Sequence, residues 1–178
     1  LRTILKPPGV FGFADETIIA RLGAERLAYL IPGKCQGFKT FIDVMLALDQ
    51  SFKIVGLEIM EHEEDPGLGG EIEQDYFKNQ FKGKSLENVK KIKVIKEPLP
   101  EEYKKYLETK KSNAEPLPKG VIDTIRSKYQ DQDIYALTGA TISSNAVTQG
   151  VKGIIRKFAY RITILDNIIA SQHIPVAF

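Results

Sequence analysis

The chain has 178 residues and a mass of 19.9 kDa, and its 43% hydrophobic and 27% charged residues are typical of a folded domain rather than a disordered one. Its formal net charge of +2 is too small to indicate a nucleic-acid-binding protein. The single cysteine, Cys35, is predicted to lie in a turn, and it excludes both an internal disulfide and a multi-cysteine metal site. No run of about 18 apolar residues occurs, so no segment of this sequence is predicted to span a bilayer.

The N-terminal third predicts a helix followed by a strand hairpin. Asp15 is a suitable N-cap for a short helix over residues 15–27. Residues 38–49 and 52–62 are apolar and rich in β-branched side chains, and the short polar link between them predicts an antiparallel pair. In the second strand we expect the more apolar face, with Val55, Leu57, Ile59 and Glu61, to point inward.

The remainder of the chain is predicted to be mainly helical. Residues 71–81 and 121–130 predict helices, a short charged helix begins near residue 100, and residues 87–97 show a loose strand pattern. A long C-terminal helix carries one apolar stripe, formed by Val147, Val151, Ile154, Ile155, Phe158 and Ile162. The predicted class is therefore α+β, with a largely antiparallel sheet flanked by helices and a long C-terminal helix.

The most informative stretch is the hydroxyl-rich turn at residues 138–144, which opens that helix. Ser143 or Ser144 is a suitable N-cap. The first turn of a helix offers free backbone N–H groups and the positive end of the helix dipole, and both favour a phosphate. The turn therefore predicts either a phosphate site, with Thr141 presenting its hydroxyl, or only a well-capped helix. The lysine of a nucleoside-triphosphate P-loop is absent, because Asn145 follows the two serines.

A second glycine-rich turn lies at residues 64–70. Its glycines can adopt positive φ and allow the backbone to approach a flat ligand, while Glu64 and Asp65 supply acceptors. An ordinary loop between a strand and a helix is the alternative. A calcium site is a weaker alternative interpretation, because the acidic residues from Glu61 onward lack the ligand spacing of a calcium loop. His62 is interpreted as a surface group.

Together the two turns resemble the flavin-binding domain shared by the G component of the Rnf electron transport complex and the C component of the sodium-pumping NADH:quinone reductase. Rnf-type subunits typically carry a Glu-Thr-Pro-Gly-Leu-Gly loop, which is similar to residues 64–69 with Asp65 in place of threonine. Both types carry a Ser/Thr-Gly-Ala-Thr motif, here residues 138–141. The resemblance extends from about Gly37 to Phe158 and favours the Rnf type.

The resemblance implies that FMN is the cofactor and that a phosphoester links it to the last threonine of the motif, Thr141. A separate flavin transferase makes this bond in the family. No catalytic or metal-binding residue is implied. The residues that the resemblance assigns to FMN, besides Thr141, are Thr138, Gly139, Ala140, Ile142, Ser143, Glu64, Asp65, Gly67, Leu68 and Gly69.

The resemblance also implies an electron-transfer role within a larger assembly. We expect no substrate turnover by the chain alone, and the other membrane subunits of the complex as its partners. The chain begins without methionine, so we expect an anchor upstream and a flavin domain on the extracytoplasmic side of the membrane. The expected organisation is a lead-in over residues 1–36, an FMN-binding domain over 37–160, and a helix end and tail over 161–178.

One position departs from the family pattern and keeps alternatives open. Flavinylated motifs usually carry an aspartate three residues before the first Ser/Thr, where this chain has Tyr135. FMN could therefore bind without the covalent bond. A stand-alone FMN-binding reductase or redox sensor is the alternative function, and a structural domain without a cofactor is a third.

Overall fold

The computed structural model describes residues 16–22, 25–108 and 117–172, and it confirms the α+β class. Two short 3₁₀ turns, Gly69–Glu73 and Asn79–Phe81, flank the first helix. The strands are β1 (Ile18–Leu22), β2 (Glu25–Gln36), β3 (Phe41–Asp49), β4 (Ile54–Glu61), β5 (Val94–Ile95) and β6 (Ile134–Tyr135). The helices are α1 (Asp75–Lys78), α2 (Leu86–Lys91), α3 (Glu101–Glu108), α4 (Lys119–Tyr129) and α5 (Thr141–Gln172).

β1 to β4 form one antiparallel sheet in chain order, and the predicted hairpin of β3 and β4 is confirmed. The helix predicted to start at Asp15 is wrong, because the described residues of that segment form β1 and the start of β2; Asp15 itself lies outside the described residues. In β2, Tyr29 and Ile31 alternate on the buried face. The local helical pattern is outweighed by the pairing of β1 with β2, by the pairing of β2 with β3 from Ala28 onward, and by burial of this alternating face.

The inward face of β4 was predicted only in part. Leu57 is buried and Ile59 is partly buried, as expected, but Val55 is 40% exposed and Ile54 is buried. The pairing with β3 shifts register at this point, which leaves Val55 as an extra residue between two paired positions. Such a β-bulge changes which side chains face the core.

α5 packs on the sheet, mainly against β2. The predicted apolar stripe is confirmed, since it is buried along its length apart from the partly buried Ile154. Cys35 lies within β2 and not in a turn, and it is 2% exposed beneath Gly150 of the helix. Burial raises the pKa of the Cys35 thiol to about 11. Within the described residues, no helix is both long and apolar enough to cross a membrane.

The region between the sheet and α5 contains shorter helices and strands than the sequence predicted. Residues 71–81 form short helical pieces, and the strand pattern at 87–97 is confirmed only for β5, because α2 occupies its first half. Ser85 caps α2 by accepting a hydrogen bond from Asn88 N at 3.3 Å. β5 pairs with β6 in parallel, which places the start of the hydroxyl-rich turn beside this region.

A second, smaller core contains a cluster of tyrosines between α3 and α4, the two helices predicted near residue 100 and over 121–130. The rings of Tyr103 and Tyr129 are nearly parallel, with their centroids 4.4 Å apart. The ring of Tyr106 also stacks on Tyr103, at a centroid distance of 6.3 Å, and Tyr135 of β6 meets Tyr103 edge-on. This cluster fixes α3 and α4 against the end of β6.

A buried lysine holds the C-terminal end of α4. Lys84 is 1% exposed, and its Nζ donates hydrogen bonds to the backbone oxygens of Gln130 and Gln132 at 2.7 and 2.5 Å. These carbonyls follow the last helical turn and would otherwise lack partners. Burial lowers the pKa of Lys84 from 10.5 to about 8.

We expect Lys84 to make the stability of the domain depend on pH. Between about pH 8 and 10.5 the unfolded chain binds a proton at Lys84 that the folded chain has lost, so the free energy of unfolding rises with pH. The unfolding free energy of the native chain minus that of Lys84→Met should therefore become more positive by about 2 kcal/mol from about pH 7.5 to 9.5. Urea unfolding at several pH values measures this. A Lys91→Met control removes an exposed lysine and should show no such change; equal behaviour of both variants would contradict the prediction.

Candidate functional site

The two glycine-marked turns, which are far apart in the sequence, meet at the N-terminus of α5. A Cβ atom at Gly139 would lie 3.0 Å from Leu68 Cδ2, and Gly139 has φ of 74°. A Cβ atom at Gly69 would lie 2.7 Å from Ser143 Oγ. Gly69 is therefore required by close packing against Ser143, and Gly139 by its positive φ, with Leu68 of the other turn in contact.

A buried carboxylate connects these turns to the sheet. Glu64 is 5% exposed, and its Oε1 accepts hydrogen bonds from the backbone N–H groups of Phe38 at 2.8 Å and Lys39 at 3.1 Å. Its Oε2 accepts a hydrogen bond from Ser143 Oγ. A Cβ atom at Gly37 would lie 2.5 Å from Glu64 Oε1, so the approach of this carboxylate requires glycine there. Glu64 thus joins the turn between β2 and β3, the loop after β4, and α5.

The N-cap predicted at Ser143 or Ser144 is wrong, because α5 begins at Thr141 and both serines lie in its first turn. Ser144 is fully buried; its Oγ accepts a hydrogen bond from Leu137 N and donates one to Ala140 O, each at 3.0 Å. These bonds close the residues before the helix onto its first turn. The second serine therefore shapes the turn and does not face outward.

The first turn of α5 leaves backbone donors at its N-terminus. The hydrogen bond from Ser144 N to Ala140 O, at 3.1 Å, begins the helical ladder. The N–H groups of Thr141, Ile142 and Ser143 precede this bond and have no acceptor within the helix. In a helix of 32 residues they lie at the positive end of the full macrodipole. This end of the helix is suited to hold an anion.

The segments that meet at this helix end carry exposed apolar side chains. Leu68 is 47% exposed, Ile142 is 59% exposed, and Phe38, whose N–H binds Glu64, is 60% exposed. Thr138 is exposed and Thr141 is half-buried beside them. Polar donors next to exposed apolar side chains suit a ligand that has an anionic end and a flat apolar part.

The His62 side chain binds the start of the glycine-rich loop, and its interpretation as a surface group is wrong. Its side chain is only 11% exposed, its Nδ1 accepts a hydrogen bond from Glu64 N at 3.0 Å, and its Nε2 lies 2.9 Å from Glu73 Oε1.

The calcium alternative gains no support, since the described part of the chain contains no cluster of three or more metal-ligating side chains.

The residues predicted from the sequence lie together at the N-terminus of α5, some of them at the surface and the others buried. Asp65 lies at the rim in an ion pair with Lys39, 2.5 Å from Asp65 Oδ1 to the lysine Nζ, and Gly67 is exposed with φ of 73°. The backbone donors of residues 38 and 39 could not be predicted from the residues themselves, for which only the preceding glycine is a signal. The surface layer contains Thr138, Gly139, Thr141, Ile142 and Leu68, and the buried layer contains Glu64, Gly69, Ala140 and Ser143.

Comparison with known proteins places both glycine-marked turns within one protein family. The sequence profile of the FMN-binding domain family matches residues 37–156. The G component of the proton-translocating ferredoxin:NAD(+) oxidoreductase complex of Clostridium ljungdahlii is 28% identical over 133 residues, which are 75% of this chain and 54% of that protein. The chain thus spans about half the length of this curated relative.

Two crystal structures share the fold. NqrC of Shewanella oneidensis has a TM-score of 0.50 at 19% identity, over 72% of this chain and 48% of that one. The C component of the Na(+)-translocating NADH-quinone reductase of Parabacteroides distasonis has a TM-score of 0.51 at 22% identity, over 78% of this chain and 58% of that one. The resemblance that the two glycine-rich turns indicated is therefore confirmed, and the chain belongs to the FMN-binding domain family.

Proposed function

We propose that this chain is the FMN-carrying electron-transfer subunit of an Rnf-type ion-translocating membrane complex, with the flavin attached through a phosphoester to Thr141. The observation that carries the proposal is the position of Thr141, which is the first residue of α5 at the point where the two turns meet. The relatives support it, because one belongs to a proton-translocating ferredoxin:NAD(+) oxidoreductase and another to a Na(+)-translocating NADH-quinone reductase.

The residues at the helix end fit the phosphate of FMN. Thr141 provides the hydroxyl for the ester, and the N–H groups of residues 141–143 and the helix dipole stabilise the phosphate charge. Gly139 and Ala140 are small enough to let the phosphate approach the backbone. Because the Ser143 hydroxyl binds Glu64, the remaining side-chain donor is the exposed Thr138. When bound, FMN supplies the electron-transfer chemistry, and the protein sets its position and potential.

The apolar rim fits the flat ring of the flavin. Leu68, Ile142 and Phe38 each expose roughly half of their side chain or more around the helix end. Covering them with a ring system would remove apolar surface from water. Glu64 acts as a positioning residue in this proposal, since its contacts are with Ser143 and the backbone rather than with the surface.

The same proposal includes the partners and location of the protein. The flavin would be attached by a flavin transferase, and electrons would pass between this domain and the other membrane subunits of the complex. An anchor upstream would hold the flavin domain on the extracytoplasmic side. The chain alone would show no substrate turnover, but its flavin should cycle between oxidised and reduced states with dithionite and air.

A second candidate is a stand-alone domain that binds FMN without the ester, and the observation behind it is Tyr135. This residue replaces the aspartate usual in flavinylated motifs. It is 6% exposed, its N–H donates to Gln80 Oε1 at 2.8 Å, and its ring packs in the tyrosine cluster. A transferase that depends on an accessible carboxylate at this position would not find one here.

The intact mass of the chain co-expressed with a flavin transferase distinguishes these candidates. We expect a gain of one FMN less one water in the native chain. Thr141→Ala should abolish the gain, whereas Thr138→Ala, which removes the other hydroxyl of the same motif, should retain it. A yellow protein of unshifted mass would favour the second candidate. A colourless protein of unshifted mass would contradict both.

A further inference from the structure

A cavity lies away from the flavin site, between α3, α4 and the turns that precede β4 and follow α1. Its volume is about 470 Å³, within the range of sites for small organic molecules. Neither turn of the flavin site contributes to it. Its wall consists of Lys53, Asn79, Lys82, Gly83, Tyr103, Tyr106, Leu107, Ile122, Arg126 and Gln130.

The wall of this cavity is cationic. Lys53, Lys82 and Arg126 contribute to it, and none of the described residues that line it carries a carboxylate. The guanidinium of Arg126 is oriented by its Nε, which donates to Tyr106 Oη at 2.8 Å. A planar guanidinium with further donors is the side chain best suited to a phosphate or carboxylate.

The part of the wall next to Arg126 is apolar and aromatic. The rings of Tyr103 and Tyr106 are nearly parallel, with an interplanar angle of 14°, and Leu107 and Ile122 complete this side. Tyr103 is buried and stacks on both Tyr129 and Tyr106, so the partly buried ring of Tyr106, which this stacking orders, is the aromatic surface offered to a planar group. The cavity therefore combines donors for an anion with a surface for an aromatic ring.

We propose that this cavity is a second binding site, which takes a small organic anion with an aromatic ring, such as a mononucleotide. The proposal goes beyond the flavin role and does not depend on it. A small molecule fits better than a peptide segment because the cavity is bounded on several sides by α3, α4 and the turns. Such a ligand would hold α3 and α4 together and stabilise the smaller core.

Titration calorimetry with AMP as the probe tests the site on the full flavin-loaded chain. We expect saturable binding of AMP, with adenosine and inorganic phosphate each at least about tenfold weaker, because each lacks one half of the contacts. Arg126→Gln should weaken AMP binding about tenfold. Lys119→Gln, which removes one positive charge from the exposed start of the same helix, should leave it unchanged.

A second pair of variants tests the location without altering charge. Ile122→Trp fills the cavity and should abolish AMP binding, whereas Val121→Trp, at the exposed neighbouring position outside the wall, should not. The flavin-loaded chain is used because its flavin site is already occupied, so that AMP binding reports this cavity alone. Absence of saturation up to about 10 mM AMP would overturn the proposal. Equal weakening by Arg126→Gln and Lys119→Gln would also overturn it, since that indicates non-specific attraction.

Discussion

Replacing Gly150 with alanine should lower the free energy of unfolding by about 3 kcal/mol, although alanine is the better helix former. A Cβ atom at this position would lie 2.0 Å from Cys35 Sγ and 2.9 Å from Cys35 Cβ. Cys35 is 2% exposed in β2, so its side chain has no free space to enter. α5 would have to move away from the sheet, and that loosens contacts along the whole buried stripe.

A matched variant on the same helix separates this steric effect from helix propensity. Gly153 has no atom within 4 Å of its would-be Cβ. Gly153→Ala should therefore raise the free energy of unfolding by about 1 kcal/mol. Cys35→Ala combined with Gly150→Ala should recover part of the loss, because it removes the contact with Sγ but not that with Cβ. Urea unfolding of all four chains measures these effects, and similar values for the two glycine variants would contradict the proposed close packing.

Strong periodic patterns predicted the elements that form most of the core. The stripe from Val147 to Ile162 repeats at the helical period, and the apolar, β-branched run of β3 marks a strand without reference to its partner. The helix predicted over residues 15–27 failed for the opposite reason. The described residues of that segment pair in the β1–β2 hairpin, and β2 continues from Ala28 onto β3, a partner that is not visible in the local sequence. The bulge at Val55 likewise depends on the register of pairing.

The site was predicted through the resemblance, and its internal connections were not. Both turns and Thr141 were identified from their residues, but nothing in the sequence indicated that Glu64 binds the backbone of residues 38 and 39. Backbone donors exist at nearly every position, so they leave no residue-type signal. Gly37 was the one trace of this contact, and a glycine in a turn has many explanations. The cap at Ser143 or Ser144 failed because two buried acceptors, Glu64 and Ala140 O, bind these hydroxyls inside the domain.

Glu64→Ala should cost about 4 kcal/mol of unfolding free energy, the largest single effect expected in this domain. The substitution leaves two backbone N–H groups, those of Phe38 and Lys39, and the Ser143 hydroxyl without their acceptor. A buried donor without a partner, such as the Ser143 hydroxyl, costs about 1–3 kcal/mol, and the two part-buried N–H groups add to this cost. Glu64→Gln should cost less, about 2 kcal/mol, because the amide oxygen can still accept from the backbone while its NH₂ group faces the Ser143 hydroxyl.

The consequences for the flavin distinguish a positioning role from a purely structural one. Glu63 is the exposed neighbour of Glu64, so Glu63→Ala should leave stability and flavin attachment unchanged. Under conditions in which Glu64→Gln is still folded, we expect its flavin attachment at Thr141 to fall, because the loop that carries Leu68 is no longer held against α5. The measurement is the flavinylated fraction by intact mass, together with urea unfolding of the same samples. Full attachment in a destabilised Glu64→Gln chain would limit Glu64 to a structural role and leave the alignment of the two turns to Gly69 and Gly139.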